Sequence, residues 1–505
     1  MTTLPNLPVW NYFTELSRIP RASHNEEGVR VWLKNIAENN NLEYEVDEVG
    51  NVIIRKDAQH TTSKNSVLLQ AHLDMVTVKS EDSNHRFDTD PIELVVDGDW
   101  LKANNTTLGA DNGIGLCEIV AILADKQITH PPLEALFTVN EETGMTGALG
   151  LKAGVLNSTI MLNFDWEETR TVAISSAGGR SLTVTCDIKK EPFDGDVFEL
   201  TVGGLAGGHS GLEIGLPRIN AIMAGAEIIR QCGNLYTFRL IEIQGGQAGN
   251  AIPSAAKIVL GIEKRASEKF EQTLDAAITK LSKQFAIIEK NITFQVQKIE
   301  TKKDEIIEAY SEADTQKILG ILGSLPQGVL SVSQQIPGLV ETSNNLGIIK
   351  TDTSGVCFTF HTRSSVDIRT DLTVSRILSV FSLAFAVPLV HQFATENPFS
   401  IQSGCVTVKL AAHFSGWSES IHSNLLNTFQ RVHTTIDGKP ASVEAIHAGL
   451  ECGVIKKKLP AGSEVISFGP TISQAHTPRE QVSFSSVALF DSLVQALLAE
   501  LAGGK

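Results

Sequence analysis

Four short apolar runs limit what this chain can fold into: NVII at 51–54, SVLLQA at 66–71, LEALFTV at 133–139 and TIMLNF at 159–164. Each has strand length and lacks the polar alternation of a half-solvated sheet, so each predicts a strand covered on both faces. Between the second and third lies NGIGLCEIVAILA at 112–124, apolar all round, which predicts a buried helix. Strand and helix in alternation predict an α/β fold with a mostly parallel central sheet and helices on both faces. Upstream, Ser23 and Glu26 form a capping-box pair, and Val29, Trp32, Leu33 and Ile36 recur at helical spacing, so 24–39 should be an amphipathic helix packed on that sheet.

A chain of 505 residues exceeds the roughly 250 to 300 at which one core stops growing, so at least two domains are expected. The pattern changes at about 187. From there to 392 it reads strand 196–202, helix 217–232, strands 235–243 and 255–263, helix 267–285 and strand 291–299, which is α+β. IVLGIEKRAS runs into a helix much as CFTFHTRSS at 357–365 runs into the helix 371–386, predicting a lid of two similar subunits. Beyond 393 come strand 405–411, a helix near 418–433, strand 464–468 and an amphipathic helix over 484–502 that closes at Gly503 and Gly504. The expected organisation is a catalytic domain built from 1–186 and 393–505, with the lid, 187–392, inserted.

The apolar runs end in groups that bind cations. His72 follows the second run, Glu141 and Glu142 the third and Asp165 the fourth, while Asp111 stands in GADNGIG just before the predicted buried helix. His476, in QAHTPRE, lies far downstream. Two imidazoles and three carboxylates, with Glu141 to spare, are too few for two separate cages but enough for two divalent ions sharing a bridge. Asp111 is the candidate bridge, with a helix N-cap as the competing explanation. In a strand, His72 and Asp74 fall on one face, so Asp74 can accept the second ring N–H and fix the tautomer. Adjacent Glu141 and Glu142 would repel each other without a cation or a shared proton, and they divide the work: one ligates while the other stays free as general base. The groups lie at or beyond the C-terminal ends of parallel-type strands, where open α/β sheets place their sites. Metal-assisted hydrolysis is the chemistry expected of such a centre.

Other chemistries find little support. A net charge of −16 repels phosphate backbones and anionic lipid, so neither nucleic acid nor membrane is expected as a partner. No leader pattern and no run of roughly 18 apolar residues is read, and six scattered cysteines without a C-x-x-C pair suit a reducing cytoplasm. GGHSGL at 207–212 is not a nucleophile elbow, and Ser254 with Lys257 makes only a short S-x-x-K match.

Taken in order, HLD at 72–74, GADNG at 109–113, NEETG at 140–144, NFD at 163–165, GGHSG at 207–211 and AHTPRE at 475–480 resemble the co-catalytic zinc metallopeptidases, the family of peptidase T, carboxypeptidase G, carnosinase and the aminoacylases. HAGLECG at 447–453 is most similar to the members that act on Xaa-His dipeptides. The resemblance implies one metal on His72, Asp111 and Asp165 and a second on Asp111, Glu142 and His476, with Asp74 supporting His72 and Glu141 as acid/base. Zinc is the family default, and the oxygen-rich ligand set would also accept manganese or cobalt. It further implies His209 as a donor to the scissile carbonyl, Arg363 and Asn345 as grips for the peptide carboxylate, and His447 and Glu451 as pocket residues. Short-lid members dimerise through their lids; the longer insertion here would let one chain supply both halves, leaving monomer and homodimer open. The implied function is a cytoplasmic two-metal dipeptidase acting on Xaa-His and related dipeptides. An aminotripeptidase or N-acyl amino acid hydrolase with the same centre, or a non-catalytic peptide-binding descendant, are the alternatives.

Overall fold

The computed structural model describes residues 4–233, 235–301, 306–390 and 398–503. The chain forms two compact units, one of Met1–Ser176, Trp417–Ala445 and Leu450–Lys505, the other of Ala177–Gly416 with Ile446–Gly449. The inserted segment is thus wider than 187–392. Strand Val406–Leu410, expected in the catalytic domain, pairs with Gly178–Cys186 in the second unit's sheet, and the expected boundary at 392/393 lies outside the described residues.

In the first unit the strands Leu133–Thr138, Val67–His72, Ile160–Asn163 and Glu464–Ser467 lie side by side and parallel. This is the parallel centre that the apolar runs predict, and Val67–His72 and Leu133–Thr138 are buried at every position. The flanks are antiparallel. Val52–Lys56 forms a hairpin with Glu43–Val46, closed by Asp47, whose Oδ1 accepts the N–H groups of Val49, Gly50 and Asn51, and a turn this short can only join antiparallel strands. Helix Ala110–Ala124 packs on Val67–His72 and on helix Pro8–Leu16, and its residues from Ala110 to Leu123 are all buried, as an all-apolar helix requires.

The amphipathic helix is Glu27–Asn40, but no capping box closes it. Ser23 donates to Asp74 instead, and Glu26 Oε1 accepts the N–H groups of His24 and Asn140. The C-terminal helix, Phe484–Gly503, is the one helix among the described residues that is long and apolar enough by length and composition to cross a membrane. It carries Asp491 and Glu500 and packs on helix Asn424–Asp437, burying Phe490, Val494 and Leu497 in the core. Gly504 lies outside the described residues.

The second unit contains the predicted repeat. One half runs Asp196–Gly203, helix Ala221–Gly233, Phe238–Gly245, Ala256–Ile262, helix Ser267–Phe285 and Thr293–Ile299. The other runs Gly178–Cys186, helix Glu312–Ser324, Val340–Asp352, Gly355–Ser364, helix Asp367–Phe385 and Val406–Leu410, so the first half is inserted after its opening strand. In both, the sheet order is fourth strand, first, third, second. The two second strands meet antiparallel, Gln244 opposite Lys350, and join the halves into one sheet. Each second helix drives a phenylalanine onto its strands: Phe270 against Phe198 at 5.5 Å, and Phe381 against Phe358 at 5.1 Å.

Candidate functional site

His72 ends its strand with its side chain 1% exposed. Its Nδ1 lies 3.1 Å from the main-chain oxygen of Asp74, which favours a ring proton there and leaves the Nε2 lone pair to take either a second proton or a cation. That lone pair faces Asp111 Oδ1 at 3.1 Å and Asp165 Oδ1 at 3.4 Å. Three acceptors converging on one point require positive charge among them. On the far side of the same carboxylate, Asp111 Oδ2 lies 3.0 Å from His476 Nε2, which is 3.1 Å from Glu142 Oε2. Two ligand groups result, His72–Asp111–Asp165 and Asp111–Glu142–His476, each with its donor atoms within 4.8 Å of one another, and Asp111 is common to both. Glu141 completes a third such group with His72 and Glu142. Glu142 Oε1 is buried with no hydrogen-bond partner among the described residues. Nitrogen and carboxylate donors in this ratio fit a pair of borderline-hard divalent cations.

The titration behaviour reports the same surplus of acid. Burial alone would lower the His72 pKa, yet Asp165, Asp111 and Asp74 raise it well above 6.5. Hydrogen bonds to Asp111 and Glu142 push His476 up to about 11. Burial raises Glu141 well above the usual carboxylate range, with His72 opposing and Asp165, Glu451 and Glu142 reinforcing. A buried carboxyl raised in this direction is a candidate proton carrier.

Asp74 does more than its spacing suggests. Its Oδ1 is 3.5 Å from His72 Nδ1, while its oxygens accept the main-chain N–H groups of Glu141 at 3.0 Å and Glu142 at 3.3 Å and the Ser23 hydroxyl at 2.7 Å. Burial would raise its pKa, but the bonds from His72, Ser23 and the Glu141 N–H bring it to about 2, so it stays charged and orients both glutamates.

Two supporting residues escaped the sequence reading. Glu480, 2% exposed, accepts four main-chain N–H bonds from Leu108, Gly109, Ala110 and Asp111 at 2.7–3.2 Å, tying the His476 loop to the Asp111 turn. Arg21, 3% exposed, donates to the carbonyls of Leu73, Asp74 and Gly109. Gly109 itself has φ +71, and a Cβ there would meet Met75 Sδ at 2.8 Å. Glu480 closes the AHTPRE motif, where an acid four residues after a ligand was the available signal; Arg21 belongs to no motif.

Glu451 is not at a pocket surface. It is fully buried at the start of helix Glu451–Lys456, and its Oε2 accepts from Gln70 Nε2 at 2.7 Å and Thr138 Oγ1 at 2.6 Å.

His209, Arg363, Asn345 and His447 belong to the second unit. Arg363 is 6% exposed, its Nε has no hydrogen-bond partner among the described residues, and burial lowers its pKa to about 10. His209 Nδ1 accepts the main-chain N–H groups of Gly211 and Leu212, leaving its proton on Nε2, 3.4 Å from Arg363 Nη2. Two donors that close call for a shared acceptor. His447 Nε2 meets Ser343 Oγ at 2.7 Å. His361, which the sequence reading overlooked, meets Ser181 Oγ at 2.8 Å through Nδ1, and its Nε2 is buried with no hydrogen-bond partner among the described residues. Its signal was the H-x-R spacing, which puts His361 and Arg363 on one face of Gly355–Ser364. Burial, then the Arg363 charge, lowers both His361 and His447 to about 3, so both are neutral at physiological pH. Asn345 is engaged within the unit: Nδ2 donates to Ala251 O at 2.7 Å and Gly249 O at 3.2 Å, and Oδ1 accepts from Gln327. A Cβ on Gly211 would lie 2.6 Å from His447 O and 3.2 Å from Arg363 Cζ, so GGHSG needs its last glycine for close approach.

A parallel-centred sheet with such a ligand cluster at its C-terminal edge, and an α+β insertion, defines a hydrolase of the metallopeptidase class. Residues 68–500 match the model of Peptidase family M20/M25/M40, and the chain belongs to that family. It is 34% identical over 504 residues to the cytosol non-specific dipeptidase of Escherichia coli (strain K12), covering 99% of both chains. The crystal structure of aminoacylhistidine dipeptidase from Vibrio alginolyticus superposes with a TM-score of 0.88 at 34% identity, covering 100% of this chain and 98% of that one. Aminopeptidase PepT from Bacillus cereus shares the fold at a TM-score of 0.55 and 13% identity, covering 98% of each chain.

Proposed function

We propose that this chain is a metal-dependent dipeptidase of the cytosol, cleaving dipeptides with a free carboxylate, Xaa-His among them. The observation that carries the reading is the Asp111 carboxylate, with one oxygen toward His72 and the other toward His476, each imidazole having a second carboxylate within 3.4 Å. In this reading His72, Asp111 and Asp165 hold one divalent cation and Asp111, Glu142 and His476 the other, zinc first, with manganese or cobalt compatible with the same donors. Such a pair, when bound, supplies Lewis acidity and a strong nucleophile at neutral pH.

The chain's own groups do the rest. Glu141 takes the proton of the attacking water and returns it to the leaving amine, so no protein nucleophile is needed. His209 donates Nε2–H to the scissile carbonyl oxygen. Arg363, with the neutral imidazoles of His361 and His447 beside it, takes the peptide carboxylate, because a buried guanidinium without a counter-charge gains most from an anion. The two dipeptidase relatives support a dipeptide substrate over a tripeptide or an N-acyl amino acid.

The test is a substrate panel on metal-stripped protein reconstituted with zinc, manganese or cobalt, comparing Ala-His and other dipeptides, tripeptides and acetylated amino acids. Dipeptide turnover restored by metal is expected. Turnover indifferent to chelator, or faster on acetylated amino acids, overturns the proposal.

A further inference from the structure

Beneath the proposed ligands a row of buried polar side chains crosses the sheet. The Ser467 hydroxyl donates to Asn163 Oδ1, Asn163 Nδ2 donates to Gln70 Oε1, and Gln70 Nε2 donates to Glu451 Oε2, which also receives the Thr138 hydroxyl. All five residues are 0% exposed. Ser467, Asn163 and Gln70 are direct register partners on neighbouring strands, and Thr138 is the register partner of His72. The belt therefore spans the four parallel strands. Gln70 stands two residues before His72, on the same strand face, and Asn163 Oδ1 also accepts the main-chain N–H of Asp165 at 3.2 Å. At the end of the belt, Glu451 Oε1 is buried with no partner among the described residues.

An apolar row would pack here at lower cost, since each buried polar group must be satisfied and a buried carboxyl is the most expensive of them. The bonds run to the strands that carry His72 and Asp165 and, through Thr138, to the end of the strand before Glu141. None of them reaches Glu142 or His476.

We propose that Glu451, acting through Gln70 and Asn163, is a positioning residue for the cation held by His72 and Asp165, setting the spacing of those two ligands. The inference rests on the two-cation reading above. Its effect is selective for one position, because Glu142 is held by Asp74 and His476 shares a loop with Glu480, neither of which joins the belt.

The experiment is titration of metal-free protein with Zn2+ and with Co2+, following heat and cobalt absorbance, with the melting temperature of the metal-free form as a folding control. Wild type is expected to show two binding steps. Glu451→Ala should weaken one step by 10- to 100-fold, the usual range for partners behind metal ligands, and leave the other within about twofold. Glu451→Gln, whose amide oxygen can accept both bonds, should restore that step to within about threefold. Ser467→Ala at the opposite end, two strands from Gln70, should combine with Glu451→Ala non-additively, whereas independent sites multiply to within about twofold. Equal weakening of both steps, a lowered melting temperature with unchanged affinities, or strictly multiplicative losses overturns the belt alone while two-step binding by wild type leaves the functional reading standing. A wild-type protein that binds fewer than two ions overturns both.

Discussion

The same side chain is driven in opposite directions in the two units. In the first, His72 and His476 lie among carboxylates and their pKa values rise; in the second, His361 and His447 lie beside Arg363 with no carboxylate opposing, and theirs fall to about 3. Burial lowers His72, His361 and His447 alike; at His72 the surrounding carboxylates outweigh it, at His361 and His447 the Arg363 charge adds to it, and His476 is half exposed. The first cluster is rich in carboxylates and suits cations, and the second holds the Arg363 guanidinium, whose Nε–H has no partner among the described residues, and suits an anion. A peptidase needs both chemistries, and this chain keeps them on separate folding units.

The sharpest way to break this comparison is to remove the one acid proposed to move protons. Glu141→Ala should leave metal stoichiometry unchanged while kcat falls by about 10²- to 10⁴-fold, the contribution of a positioned acid–base group. Metal content and steady-state kinetics on one preparation would settle it; a kcat near wild type would transfer the role to another group. His476→Ala should instead lose a metal, since Asp111 and Glu142 would remain as the only protein donors of that group.

The second cluster is tested by Arg363→Lys. Lysine keeps the charge but loses the planar fork, so kcat/KM on dipeptides should fall by about 10- to 100-fold, matching the roughly 1.5 to 3 kcal/mol of a charge-assisted hydrogen bond. Dipeptide amides, which lack the carboxylate, should be poor substrates of wild type and barely respond to the substitution. If amides and free dipeptides lose equally, Arg363 supports structure and grips no carboxylate.

The acidic cluster was far more legible from the sequence than the basic one, for a physical reason. Parallel strands are continuous apolar runs, and their C-terminal edge is where ligands gather, so His72, Glu141, Glu142 and Asp165 could be located by counting from the ends of runs. His361 and His447 lie 86 positions apart on segments without such a marker, and their partners, Ser181 and Ser343, carry no pattern at all. Glu451 entered the sequence reading only as a pocket residue implied by resemblance; its bonds to Gln70 and Thr138 show it to be interior. The inserted unit is wider than the expected 187–392 because Gly178–Cys186 was not read as a strand and 405–411 was read as one without its sheet, and nothing local says to which sheet a strand belongs. The repeat was visible because two strand-to-helix turns share a pattern, and the identical strand order of the two halves gives that likeness its structural meaning.

A smaller effect is expected at Glu480, which lies behind the acidic cluster and touches no proposed cation. Its two oxygens accept four main-chain N–H groups around Asp111, and Glu480→Gln would turn an amide N–H₂ toward some of those donors. Metal affinity should fall by about tenfold, the lower end of the range for residues behind ligands, with kcat nearly intact once saturated with metal. A fall in kcat at saturating metal would mean that the Asp111 turn also positions substrate.

The smallest effect distinguishes the clusters by pH. His447 titrates near 6.5 when unfolded and at about 3 when folded, so between those values the unfolded chain binds more protons and stability falls as pH falls. In metal-free protein His72 works the other way: its raised pKa contributes stability that is full below pH 6.5 and is lost as pH rises through the folded value. His447→Asn, which keeps a polar partner for Ser343, should therefore flatten the loss of thermal stability between about pH 6.5 and pH 4.5, by no more than about 1.4 kcal/mol per pH unit for a single proton. His72→Asn in metal-free protein should leave the slope in that window nearly unchanged and remove a loss of stability that sets in as pH rises above 6.5. Melting curves on both sides of pH 6.5 would show whether the two substitutions act in opposite pH ranges; effects confined to the same range would mean that charge around the imidazoles does not govern the two clusters as their surroundings indicate.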